Sequence, residues 1–152
     1  MKIRTHFYTS TILSGGLYAV TRSPQIALSC FLSGIFIDID HVFDFLIFSG
    51  EKFSIKKMIS WCNESRWEKI VLIFHSYEVL IFLSFIMYYF PDNILMGILL
   101  GGGLHLVLDQ IGNCFFGKRF RVSPWFYFLI FRIFSGFRKE KLLRQNLTLQ
   151  SL

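Results

Sequence analysis

Between Gln25 and Phe48 the chain stays apolar for long enough to cross a bilayer, yet the second half of that run carries Asp38, Asp40, His41 and Asp44. An ionisable side chain inside hydrocarbon costs several kcal/mol on most scales, so it faces a bundle interior, pairs, or binds something. This one segment therefore demands polar partners from the rest of the chain. It also makes a water-soluble domain a poor expectation, and composition agrees. Of 152 residues, 53% are hydrophobic and only 17% are charged, against roughly 45–50% and about 25% in soluble domains. With 3 prolines there is little material for long loops.

Four apolar stretches read as spans. The first runs from Phe7 to Val20, short for roughly 30 Å of hydrocarbon, and the residues after it, Thr21-Arg22-Ser23-Pro24, make a poor signal-peptide cleavage site. It reads as a retained first span. The second is Gln25 to Phe48, the third Ile70 to Phe90, and the fourth Ile94 to about Phe116. Between the second and third lies the main hydrophilic loop, Ser49 to Lys69, with Trp61 and Trp67 expected as interface anchors. Gly97, Gly101, Gly102 and Gly103 give the fourth span a small-residue face for close helix packing. From Pro124 to Phe137 the chain is apolar but short and interrupted by Arg132, as an interfacial or re-entrant helix would be.

The sequence thus predicts an all-α integral membrane bundle of about four transmembrane helices plus that short helix. It forms a single domain over 1–137, followed by a short basic then polar tail, 138–152. With both termini on the cytoplasmic side, Arg22 is the only one of 16 Lys and Arg residues left outside, as the positive-inside trend requires. The formal charge of +6 is explained by the same loops, so nucleic acid is not an expected partner; the lipid bilayer is. Cys30, Cys62 and Cys114 have neither disulfide-framework nor metal spacing, and packing is their default role.

Antiparallel alternation brings the ionisable groups together. His6 precedes the first span, Asp38, Asp40, His41 and Asp44 end the second, His75 and Glu78 begin the third, and His105 and Asp109 lie late in the fourth. All fall at the cytoplasmic end, and every histidine of the chain is among them. His105 and Asp109 are i and i+4 on one helix face, and His75 with Glu78, like His41 with Asp44, are i and i+3. Mixed imidazole and carboxylate donors suit zinc first, then manganese or iron. Each pair also has a simpler use: Asp38 and Asp40 as helix caps, His75 with Ser76 as an interhelical hydrogen bond, Glu78 as an outer partner of a ligand, and Asp44 as an interface residue. One shared metal site explains all of them at once.

In order, His6, the run Gly34-Ile35-Phe36-Ile37-Asp38-Ile39-Asp40-His41, His75-Ser76, and Gly103-Leu104-His105-Leu106-Val107-Leu108-Asp109 resemble the YdjM-like family of LexA-regulated, inner-membrane, metal-dependent hydrolases, which is similar to the zinc-dependent phospholipase C superfamily. The resemblance covers roughly residues 6 to 115. It departs at Ile37, where the family has proline, and at Leu72-Ile73-Phe74, where the family has a basic, glycine-containing turn. It implies metal ligation by His6, Asp38, Asp40, His41, His75, His105 and Asp109, without saying which bind directly, and a location in a bacterial inner membrane.

As a hydrolase, the chain would use Asp40 or Glu78 as the catalytic general base on a metal-activated water. A site at headgroup depth favours a phosphodiester or another lipid-linked ester as substrate. Two other functions predict different features. A cation or proton transporter needs polar residues through the full depth of the spans, and their outer halves have almost none. A non-catalytic metal-binding scaffold predicts a coordination shell closed to water.

Overall fold

The computed structural model describes residues 3–64, 66–116 and 120–145. The chain is mostly helical, in agreement with an all-α class. Its helices are α1 (Ile3–Thr21), α2 (Pro24–Phe36), α3 (Ile39–Phe48), α4 (Ile55–Asn63), α5 (Tyr77–Tyr89), α6 (Asn93–Phe115), α7 (Leu129–Phe134) and α8 (Lys139–Leu142). A 3₁₀ turn covers Pro124–Tyr127, and strands β1 (Phe120–Val122) and β2 (Leu143–Gln145) form a short antiparallel ribbon. The basic residues Lys118 and Arg119, and the tail beyond Gln145, lie outside the described residues.

Two helical stretches among the described residues are long and apolar enough to cross a membrane: Pro24–Phe48, comprising α2 and α3, and Asn93–Phe115, which is α6. Ser23 caps α2, its Oγ accepting from Ile26 N, with Pro24 at the first helical position. Asp92 caps α6 through Leu95 N. Between α2 and α3 the backbone tightens. Asp40 N donates to Ile37 O and His41 N to Asp38 O, three residues back instead of four. Asp38 occupies the cap position of α3, but its side chain makes no cap hydrogen bond.

The α2–α6 pair is the backbone of the fold, and glycine makes it possible. A Cβ on Gly101 would fall on the carbonyl oxygen of Cys30, and one on Gly97 on Ile26 O and Ser29 Oγ. One turn of α6 separates these two glycines, so they form the seam. Gly102 and Gly103 are not part of it; the nearest atoms to a Cβ there belong to Leu80 of α5, at 3.4 and 4.0 Å. Gly34 on α2 receives Ser10 of α1 in the same close manner.

The structure corrects two expectations. The third helix was expected from Ile70, but it begins at Tyr77. Residues 66–76 instead form a non-helical strap, because the amides of Val71 and His75 are taken by the distant carboxylates of Asp44 and Asp40 at 2.9 and 3.0 Å. Trp61, expected as an interface anchor, is buried, its ring edge-on to Phe45 and Trp67.

The strap is held from outside by the C-terminal segment. Ile70 N donates to Phe137 O, Lys139 N donates to Glu68 O, and Lys69 bridges to Arg138. Ile70, Leu72, Leu106, Phe126, Tyr127 and Leu142 close into a buried cluster at this end of the molecule. Elsewhere large apolar side chains face outward, among them Ile12 at 75%, Tyr88 at 79% and Phe90 at 73% exposure.

Candidate metal centre

Four side chains from three segments meet at the buried end of the α2–α6 pair: Asp38 from the α2–α3 break, His75 from the strap, and His105 and Asp109 from α6. One donor atom from each lies within 4.8 Å of all the others. His75 Nε2 is 3.3 Å from Asp38 Oδ1 and 3.9 Å from Asp109 Oδ2. His105 Nε2 is 3.4 Å from Asp38 Oδ1 and 3.7 Å from Asp109 Oδ2. Four donors about 2.0–2.1 Å from a tetrahedral zinc would be separated by roughly 3.3–3.4 Å. The four histidine–aspartate edges run from that value to 3.9 Å and are longest at Asp109.

The backs of the two rings are fixed by acceptors. His75 Nδ1–H donates to Asp40 Oδ2 at 3.2 Å, and His105 Nδ1–H donates to the Gly34 carbonyl at 2.9 Å. This tautomer leaves each Nε2 with a lone pair. Both Nε2 atoms are fully buried and have no hydrogen-bond partner among the described residues. A buried ring nitrogen in that state is a standing cost of about 1–3 kcal/mol, which a cation removes. His105 is also stacked on His6, with ring centroids 3.9 Å apart.

The remaining sequence candidates sort by distance. His6 does not enter the four-residue cluster; its Nε2 contacts Asp109 Oδ1 at 3.0 Å, on the oxygen that does not face His105. It orients a ligand. Asp40 also stands behind a ligand: one oxygen accepts both the amide and the ring N–H of His75, so it positions that histidine. His41 lies at the open side, its Nε2 3.8 Å from Asp38 Oδ1, with side chains 27% and 30% exposed. Asp44, buried, holds Val71 N.

Glu78 is engaged elsewhere. Its two oxygens accept from Leu129 N and Ile130 N at 2.9 and 3.0 Å, capping the first turn of α7. The expected i, i+3 pairing with His75 fails because His75 precedes the helix that Glu78 begins. A carboxylate committed to two backbone amides is not poised to take a proton from water at the cluster.

Two features escaped the sequence. Leu72, in the strap, has φ +42° with its side chain buried, a conformation that costs roughly 1–3 kcal/mol in a non-glycine residue. That strained turn delivers His75, whose amide also reaches Leu72 O. The second is Arg132, wholly buried beside the strap and donating to Ser76 Oγ. Its guanidinium lies over the Phe126 ring, 5.3 Å from the centroid, and Nε and Nη1 have no hydrogen-bond partner among the described residues. Burial draws its pKa down to about 10, opposed by the nearby charges of Asp40, Glu78 and Asp44. It is thus the buried counter-charge to the carboxylates behind the site.

Comparison with protein-family models, with curated proteins and with solved structures found no match to this chain.

Proposed function

We propose that this chain is an integral membrane protein that binds a divalent cation, zinc in the first instance, through Asp38, His75, His105 and Asp109, and uses it to hydrolyse a phosphodiester or related ester of a membrane lipid. The single observation that carries the reading is the pair of buried Nε2 atoms of His75 and His105, without a hydrogen-bond partner among the described residues and 3.3–3.9 Å from the carboxylates of Asp38 and Asp109. The resemblance to YdjM-like membrane hydrolases supports the same reading.

Membrane insertion is supported by Pro24–Phe48 and Asn93–Phe115 and by the outward-facing apolar side chains of α1 and α5. In water such a surface is an aggregation liability; in hydrocarbon it is solvated. We assign four crossings, by α1, the α2–α3 pair, α5 and α6, with both termini on the cytoplasmic side of a bacterial inner membrane, because that arrangement leaves only Arg22 outside.

A bound cation would lower the pKa of a coordinated water and polarise a phosphoryl oxygen. The residues supply the rest. Asp40 and the Gly34 carbonyl hold the two imidazoles in the tautomer that ligates, and His6 holds Asp109. His41, at the exposed edge beside Asp38, is the group placed to accept a proton from an entering water. It takes the role that the sequence suggested for Asp40 or Glu78.

A second reading has its own observation. Four protein donors complete a tetrahedron, which describes a structural zinc site with no position for water. Under it the protein is a non-catalytic scaffold.

Elemental analysis of detergent-purified protein tests the metal. About one zinc, manganese or iron per chain is expected, lost when His105→Ala and Asp109→Ala are combined; native protein free of metal under non-chelating conditions sinks both readings. Water-proton relaxation of the Mn²⁺-loaded protein then separates them. Enhancement by an exchanging bound water supports the hydrolase, and its absence supports the scaffold.

A further inference from the structure

A cavity of about 400 Å³ lies along the helices, walled by Leu32 and Phe36 of α2, Leu80 and Leu83 of α5, and Ile94 and Ile98 of α6. Its other lining residues tie one end to the metal centre. Ile37 and Ile39 flank Asp38, Phe74 precedes His75, and Gly102 lies one turn before His105. From Ile94 to Gly102 the cavity follows α6 for roughly 12 Å at 1.5 Å per residue.

The chemistry of the wall selects the occupant. Its only side-chain hydroxyls, on Ser29 and Ser33, donate to the helix's own carbonyls, Gln25 O at 2.6 Å and Cys30 O at 3.2 Å. A polar ligand would lose its water there and gain little in return. A hydrocarbon chain lying along α6 suits the apolar wall and the groove's extension to the ligand cluster.

We propose that this groove seats one hydrocarbon chain of a membrane lipid, with the lipid's polar linkage at the Asp38–His75–His105–Asp109 end. The proposal rests on the hydrolase reading for the meaning of that end, and it adds the means of substrate capture. A chain laid between α5 and the α2–α6 pair would align the lipid along the bundle axis, so that only the bond at headgroup depth reaches the ligands. The enzyme would then discriminate by chain and depth, with few contacts to the headgroup.

Two phosphatidylethanolamines test it, carrying a photoactivatable diazirine either near the carbonyl or at the chain terminus, in liposomes containing the full-length protein. The expected adducts fall on Ile37 and Phe74 for the first probe and on Ile94, Ile98 and Leu83 for the second, several-fold above outward-facing Ile12 and Phe85. Equal labelling of groove and outer surface, or the reverse gradient, overturns the proposal. Leu83→Trp, which narrows the groove away from the ligands, should reduce terminal-probe labelling several-fold while metal per chain stays at the native level; unchanged labelling also overturns it. Metal content is read on the same samples. The predicted gradient in a protein without metal supports the lipid seat while removing the hydrolase reading.

Discussion

The candidate metal centre is assembled from two halves that reach the same precision by opposite means. On one side, α2 and α6 touch backbone to backbone at Gly97 and Gly101, and Asp38, His105 and Asp109 ride on that seam. On the other side, His75 arrives on a strap with no helix of its own, held by the carboxylates of Asp40 and Asp44, by Arg132 through Ser76, and by the backbone of the C-terminal segment. The seam is made by removing side chains. The clamp is made by adding buried charges. The first kind of construction tolerates no added volume, and the second tolerates no lost charge.

Added volume at the seam should give the largest effect. Gly101→Leu forces a side chain into the Cys30 carbonyl, where backbone, not a flexible side chain, must yield. Overpacking of this kind costs about 3 kcal/mol or more, and the expected result is a chain that no longer gives a cooperative thermal transition in detergent. Gly103→Ala is the contrast on the same helix, since its nearest neighbour is Leu80 Cδ1 at 4.0 Å. It should stabilise α6 by up to about 1 kcal/mol through helix propensity. Similar losses from both substitutions would show that the two glycines are not distinct.

Arg132→Met tests the clamp. It keeps much of the volume and strands Asp40, Glu78 and Asp44 without their buried counter-charge. Loss of the buried hydrogen bond to Ser76 and of the charge costs about 1–3 kcal/mol. Limited proteolysis should then cut within 66–76 while α2 and α6 stay resistant. Cleavage that spreads at once to the helices would mean that the two halves are one cooperative unit.

The halves also differ in how visible they were in the sequence. The seam was legible because a run of small residues inside an apolar helix has a local meaning, although only the structure shows that Gly97 and Gly101, not Gly102 or Gly103, meet α2. The convergence of His6, Asp38, His75, His105 and Asp109 was legible too, since alternation of antiparallel spans puts them at one end, although His75 reaches the cluster on the strap and not on a helix. The clamp was not. Ile70 to Phe74 is apolar and reads as the start of a helix. What prevents one is a pair of acceptors 27 and 35 residues away, Asp44 and Asp40, which no local window can reveal. Arg132 looked like an interruption in an apolar stretch for the same reason. Its partners lie at Ser76 and beyond.

Asp40→Asn acts on the joint between the halves. The amide oxygen can still accept from one His75 N–H, but the charge behind the ring is lost. Metal affinity should fall about 10–100-fold, the usual consequence of removing such an outer carboxylate, and the metal-free protein should also lose about 1–3 kcal/mol, since a buried acceptor of two N–H groups is weakened in the clamp. Competition with a calibrated chelator measures the affinity. An unchanged value would place the stabilisation of His75 elsewhere in the strap.

Glu78→Gln should be the mildest change and decides between two roles for one side chain. As the cap of α7, Glu78 accepts from two amides; glutamine keeps one acceptor and turns an N–H₂ toward the other. The expected loss is about 1–2 kcal/mol, one charge-assisted hydrogen bond, with metal stoichiometry and affinity at the native level. A general base at this position would behave otherwise: stability and metal would survive, while hydrolysis of a lipid phosphodiester would drop by about 10²-fold or more. Because the cap belongs to the clamp and a base would belong to the cluster, this substitution shows where the boundary between structure and chemistry runs along α5.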